Sequence, residues 1–225
     1  MKLLALDTAT TVSSVALWVD GEVLEHAEIT PRAGERILCM IDWLLAQASM
    51  PLRALDAIAF GRGPGAFTGL RLAAAVTQGL AFAADLPVMP ISDLRAIAQR
   101  ALHLSQAAPW ALVCHDARMG QVYWGRFKRH GAVACAQSAE AVGAPESVAF
   151  APATEAAGCG AGSGFEAYPT LGVRFEGLLS SIHPALLPHA REIAQLAAHD
   201  GLTAALPAEL ALPVYVRDQV AVPRQ

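Results

Sequence analysis

Charge is scarce in this sequence. Only 16% of its 225 residues are charged, the net charge is -4, and 54% are hydrophobic. Nucleic acid is held by Lys and Arg neutralising phosphates, so an acidic balance argues against tight direct binding to it. The one basic stretch, Arg126-Phe127-Lys128-Arg129-His130, reads as a solvated strand end. Cysteine is sparse and unpaired: Cys39, Cys114, Cys135 and Cys159 form no C-x-x-C, which excludes a zinc knuckle and a disulfide framework. None of the seven histidines lies four residues from another, so no helix presents two imidazoles to one metal ion. Ser163 sits in Gly162-Ser163-Gly164, which fails the G-x-S-x-G spacing of a nucleophile elbow. No pair of acids stands out for acid-base work. The expectation is a chain with no catalytic set, metal or cofactor of its own.

The N-terminus carries one lysine and then enters a strand pattern, without the cleavage site of a signal peptide. The apolar run from 70 to 84 is broken by Arg71 and Gln78 and is rich in alanine, a poor membrane span. A cytoplasmic location without membrane attachment is expected. Spare apolar surface in such a chain ordinarily ends in an interface.

What the sequence does have is a loop. Gly61, Gly63, Pro64, Gly65, Phe67, Thr68 and Gly69 stand between an apolar strand-like run, 57 to 60, and a helix-like run, 70 to 84. Glycine is costly inside a helix and proline lacks a donor, so the segment is expected to be neither helix nor strand. Its backbone should come close to something. No Lys-Ser/Thr pair follows, which excludes a Walker loop. Gly61, Gly63 and Ala66 fit the permissive dinucleotide spacing, with Asp93 downstream as the acid. Pro64 and the hairpin-like opening of the chain speak against that reading, and a turn whose glycines only permit close packing fits better.

Periodicity predicts strands over 3–6, 14–19 and 22–29, with an Asp20-Gly21 hairpin turn. A helix is predicted over 36–48, where Ile37, Leu38, Ile41, Leu44, Leu45 and Ala48 share one face. Strands 57–60 and 88–91 and helices 70–84 and 93–104 complete a first domain, 1–100. The second, 101–225, repeats the pattern less clearly, with strands over 110–115, 121–127 and 132–136. A second glycine loop follows at 158–164, within an irregular stretch from 139 to 177, and then a helix over 188–199. On the helix of 70–84, Leu72, Val76 and Leu80 are expected to face the sheet. Arg71, Ala74, Ala75, Gln78 and Phe82 are expected to face a protein partner.

Four motifs occur in order: Leu6-Asp7-Thr8-Ala9-Thr10; Gly61 to Arg71 followed by Gln78-Gly79-Leu80-Ala81; Asp116 to Trp124; and Pro213-Val214-Tyr215-Val216-Arg217. Together they resemble the TsaB (YeaZ) family of bacterial tRNA threonylcarbamoyladenosine biosynthesis proteins. The resemblance implies an α/β fold of two duplicated β-β-β-α-type domains of the actin/Hsp70/hexokinase (ASKHA) architecture. It also implies a non-catalytic subunit that pairs through its first-domain helices with the catalytic subunit TsaD, or with a second copy in a homodimer. TsaC would supply the activated group, the ATPase TsaE would join, and tRNA would be met only through the complex.

The same architecture carries an ATP-dependent alternative, a transferase or kinase holding phosphates at hairpins. Asp7, Thr8 and Thr10 would then form a degenerate phosphate hairpin, because Ala9 replaces the glycine that lets phosphate approach. The bland reading of Asp7 is a strand-end Asx turn. TsaB-like sequences are expected to carry a histidine near the start of the first helix, where this chain reads Arg32-Ala33-Gly34-Glu35-Arg36.

Overall fold

The computed structural model describes residues 1–29, 33–149 and 156–217. Two sheets repeat one plan. In the first, β1 (Lys2–Asp7), β2 (Val12–Val19) and β3 (Glu22–Ile29) are antiparallel neighbours. β4 (Ala57–Gly61) and β5 (Val88–Ile91) extend the sheet in parallel beyond β1, giving the order β3-β2-β1-β4-β5. The second sheet has antiparallel β6 (Trp110–Arg118), β7 (Gln121–His130) and β8 (Val133–Ala136). β10 (Gly158–Ala161) and β11 (Leu179–His183) lie parallel beyond β6, and short β9 (Ala141–Gly143) pairs with β7. Its order, β11-β10-β6-β7-β8, is the first order strand for strand.

Helices cover both faces of each sheet, which explains why β1 and β4 read as unbroken apolar runs. Leu4 and Leu6 of β1 face α1 (Ala33–Gln47) and α2 (Phe67–Ala84), whose Ile37, Ile41, Leu44 and Ala73 complete that core. Leu3 and Ala5 face the other way, onto Ile193, Ala194 and Ala197 of α6 (Ala190–Asp200). In the second sheet, α3 (Asp93–Leu104) covers Ala111, Val113 and Phe127. Short α4 (Gly164–Ala167) and α5 (Thr170–Arg174) bring Phe165 and Leu171 against Trp110 and Leu112 on the opposite face.

The helices cross over between halves. α3 follows the first sheet in sequence yet packs on β6, β7, β8 and β10, while α6 comes after the second sheet and packs on β1, β2 and β4. The two helices touch each other at the centre. Ser14 of β2 fixes the return, its hydroxyl accepting the Ala190 N–H at 2.9 Å where α6 begins.

Two sequence expectations are corrected. The second glycine stretch is no loop: Gly158 to Ala161 form a buried central strand. A Cβ on Gly158 would enter the Trp110 ring, and one on Gly160 would come 2.9 Å from Phe165, so these glycines make room for aromatic rings. The first glycine segment is also more regular than expected. Gly61 closes β4, and α2 starts at Phe67 rather than Leu70, which places Gly69 inside a helix.

Candidate functional site

The glycine segment approaches its own chain. A Cβ on Gly65 would lie 2.7 Å from Cβ of Ala9, and one on Gly69 would overlap the Thr8 carbonyl oxygen. Ala66 N–H donates to Ala9 O at 2.8 Å, and the Thr8 hydroxyl donates to Gly69 O at 2.7 Å. The β1–β2 turn therefore fills the space beside the loop where a ligand phosphate would need bare backbone. Gly63, at φ 108°, would bring a Cβ within 2.8 Å of Val214 O. Thr10 is occupied locally, its hydroxyl accepting the Val12 N–H at 3.2 Å.

Asp7 makes the Asx turn, its Oδ1 accepting the Ala9 N–H at 3.1 Å. It also meets an unexpected partner. Asp93 opens α3, accepts the Gly63 N–H at 2.5 Å, and sets its carboxyl beside that of Asp7. Both carboxyls are buried, and a Cβ on Gly61 would collide with the pair. The acid of the dinucleotide pattern is thus committed to the loop itself. Burial pushes Asp7 up to about 6. Burial, followed by the Asp7 charge, holds Asp93 well above the carboxylate range. Two buried carboxyls side by side disfavour both being charged, so the pair favours a protonated acid.

A pH dependence follows. An acid that holds its proton more tightly when folded stabilises fully below its unfolded pKa near 3.8, and that stability is lost as pH rises through about 6. Asp93→Asn keeps an acceptor for Gly63 and offers Asp7 an N–H without needing a proton. The variant is expected to melt several degrees above wild type near pH 8 and to lose the advantage near pH 5. Melting curves across that range check it, and parallel curves for the two proteins would contradict it.

The outward face of α2 carries Phe67, Thr68, Arg71, Ala75, Gly79, Phe82 and Ala83, with Phe82 63% exposed. Ala74 is corrected: it is 5% exposed and packs in the core. The sheet-facing stripe is Leu70, Ala73, Ala74, Thr77 and Ala81. Small side chains let the helix approach β4 closely, and the bulkier Leu72, Val76 and Leu80 fill its half-buried flank. By length and composition alone α2 could cross a membrane, but here its buried stripe serves this core. Beside it α1 exposes Leu38 and Trp43.

The segment 206–217, which ends in the last motif, straps these parts together. Leu206 bridges Val88, and Gln78 of α2 donates to Glu209 O at 3.3 Å. Val214 N–H donates to Arg62 O at 2.7 Å, and Arg71, stacked 3.8 Å from the Phe67 ring, donates to Tyr215 OH at 3.0 Å. Arg217 then grips the β6–β7 turn of the second sheet, donating to Ala117 O at 3.0 Å and Gln121 Oε1 at 2.6 Å. A second link runs from Glu140, which accepts from the Ser92 hydroxyl and from Arg62 at 3.3 Å.

In the second sheet Ser163 Oγ lies 3.1 Å from His115 Nδ1. Motif spacing alone could not reveal this pair, because His115 lies within β6 and Ser163 follows β10. Arg32, beside the absent histidine, lies outside the described residues. Among the described residues no three His, Cys, Asp or Glu side chains gather as a metal site. Elemental analysis of the purified protein is expected to find no stoichiometric zinc or iron, and about one tightly held ion per chain would overturn this.

A family model described as TsaD, tRNA N6-adenosine threonylcarbamoyltransferase, matches residues 28–221. The tRNA threonylcarbamoyladenosine biosynthesis protein TsaB of Escherichia coli is 39% identical over 98% of this chain and 96% of that protein. The chain belongs to the TsaB family. TsaB of Haemophilus influenzae is 51% identical over 130 residues, 57% of this chain and 55% of its own. YeaZ from Pseudomonas aeruginosa superposes with a TM-score of 0.85 at 42% identity, covering 95% of this chain and 99% of that one. A second solved structure, described as an uncharacterized protein with similarity to peptidase YeaZ from Pseudomonas aeruginosa, gives 0.88 at 44% identity over 96% and 99%. The TsaB resemblance read from four motifs is thereby met, and so is the ASKHA-type α/β fold.

Proposed function

We propose that this chain is the non-catalytic scaffold and dimerisation subunit of the tRNA N6-threonylcarbamoyladenosine (t6A37) transferase complex. It supports the catalytic subunit TsaD, which transfers the threonylcarbamoyl group to N6 of adenosine 37. TsaD or a second copy of this chain occupies the outward face of α2, and the ATPase TsaE joins the assembly. tRNA is met only through the complex, in the cytoplasm, and no cofactor is held. The observation that carries this reading is the outward stripe of α2, where Phe67 and Phe82 flank Ala75 and Gly79. Small residues between two exposed rings let a partner helix approach closely, and such a patch on a charge-poor protein marks an interface.

The ATP-dependent alternative needs phosphate at the β1–β2 hairpin of Asp7, Thr8 and Thr10. There Asp7 Oδ1 accepts the Ala9 N–H, the Thr8 hydroxyl donates to Gly69 O, and the Thr10 hydroxyl accepts the Val12 N–H, so all three are engaged with their own chain. Calorimetric titration of the isolated protein with Mg-ATP separates the two: no saturable heat is expected, and tight stoichiometric binding would favour the transferase or kinase. The direct test is reconstitution. TsaD should co-purify with this chain, and t6A formation should require it, while modification at full rate without it ends the scaffold reading.

A further inference from the structure

The outward face of α2 ends at Phe67, on the wall of a cleft of about 690 Å³ that the β6–β7 turn lines through Arg118. The strap joins the two. Tyr215 stacks on Phe67 with 5.6 Å between ring centroids and accepts from Arg71 at 3.0 Å. Two residues further on, Arg217 holds the turn and touches Met119 Sδ at 3.6 Å. The exposed face of α2 therefore continues over Tyr215 onto the second sheet. An 18-residue helix is about 27 Å long and about 10 Å across. That footprint alone falls short of the about 800 Å² that each side of a stable protein pair buries.

The turn itself is built against its own backbone preference. Arg118, Met119 and Gly120 all take left-handed dihedrals, with φ of 62°, 55° and 74°. Glycine and asparagine adopt that region readily, whereas the Cβ of Arg or Met crowds the following carbonyl oxygen. Packing does not offset the strain, because Met119 is 74% exposed and the Arg118 side chain 84%. Arg118 is held at one end by Asp116 at 3.3 Å, and Asp116 also accepts the Arg118 N–H at 2.8 Å and the Tyr168 hydroxyl at 3.4 Å. A firm turn thus presents a pliant thioether beside a guanidinium, a pair able to fill a small apolar pocket and grip a carboxylate next to it. Charge points to the partner's side. Arg71 and Arg217 share this rim and donate to the uncharged Tyr215 OH, Ala117 O and Gln121 Oε1. The nearby acids on the cleft wall are Asp116, already paired, and Glu166. In a chain of net charge -4 this rim keeps an excess of positive charge, which complements an acidic protein surface.

We propose that the β6–β7 turn is a second contact for the TsaD subunit that covers α2, with Met119 entering an apolar pocket of TsaD and Arg118 meeting a carboxylate beside it. The partner then spans both sheets and closes the mouth of the cleft. This rests on the scaffold reading and adds to it a pair of residues that determines which partner fits.

Arg118→Asn and Met119→Asn test it, since asparagine removes each side chain yet tolerates the left-handed backbone. Calorimetric titration of TsaD with the full chain compares them with wild type and Ala75→Glu. Each asparagine variant is expected to melt at or above wild type and to bind TsaD about tenfold more weakly. The deficit of Arg118→Asn should shrink as salt rises from about 0.05 M to about 0.5 M, because screening weakens the exposed charge contact. If wild type does not bind TsaD, the scaffold reading fails and this contact with it. If wild type binds, Ala75→Glu does not, and both asparagine variants bind like wild type, the scaffold reading stands and the second contact is overturned. It is overturned equally if the variants weaken only self-association of the chain, or only tRNA binding by the assembled complex.

Discussion

Gly69→Val is expected to leave almost no folded protein. The added side chain must occupy the position of the Thr8 carbonyl oxygen, and that atom is backbone. Relief requires moving α2 off the β1–β2 turn, which breaks the Thr8 hydroxyl bond to Gly69 O and the Ala66 N–H bond to Ala9 O. Thr8 and Ala9 are themselves buried, so the turn cannot swing into solvent. Overpacking against backbone with two bonds lost should cost roughly 3 kcal/mol or more, a large share of the stability of one domain. Gly65→Val meets Ala9 at 2.7 Å and should lose a few kcal/mol in the same way. Gly79 supplies the control: it lies in the same helix with open space where a Cβ would go, so Gly79→Ala should stabilise by roughly 1 kcal/mol. Chemical denaturation of the three variants checks the order. A soluble Gly69→Val protein with unchanged melting would show that the loop is not closed by its own chain.

That closure also marks where sequence reasoning stopped. The glycines announced a close approach but not its object, because the object, Thr8 and Ala9, lies about sixty residues upstream on another element. Local patterns were legible wherever a period decided them. β3, β5 and α3 fall on the predicted residues, and α1 begins three residues before its predicted start. Gly158 and Gly160 misled because glycine was read as punctuation, whereas here it accommodates Trp110 and Phe165. β11 was missed because Leu179-Ser180-Ser181-Ile182-His183 is half polar at the edge of its sheet. Asp7 and Asp93 were each visible as acids at strand ends. Their pairing depends on β4 lying between β1 and β5, which is a property of strand order and not of either motif. The α2 stripe was displaced at Ala74 because alanine gives no hydropathy contrast with Ala73 or Ala75.

Ala75→Glu is expected to abolish both pairing with TsaD and t6A formation while leaving the monomer folded. Ala75 faces solvent on the outward stripe of α2, so a glutamate there costs the free protein almost nothing. In a helix-to-helix interface built on Ala75, Gly79 and Ala83, the same carboxylate would be buried without a partner. Stripping an unpaired charge of water costs several kcal/mol, enough to shift a micromolar complex beyond detection. Asp7→Asn is the opposite case. Its side chain is wholly buried at the β1–β2 turn, it touches the loop and not the outward face, and asparagine keeps the acceptor for Ala9 N–H. Pairing should persist and modification should fall little. Co-purification and a tRNA modification assay read both variants side by side. If Asp7→Asn eliminates modification while the complex still assembles, Asp7 belongs to a working site and the scaffold reading fails. If Ala75→Glu pairs and functions normally, the partner does not sit on this face of α2, and the exposed rings of Phe67 and Phe82 need another occupant.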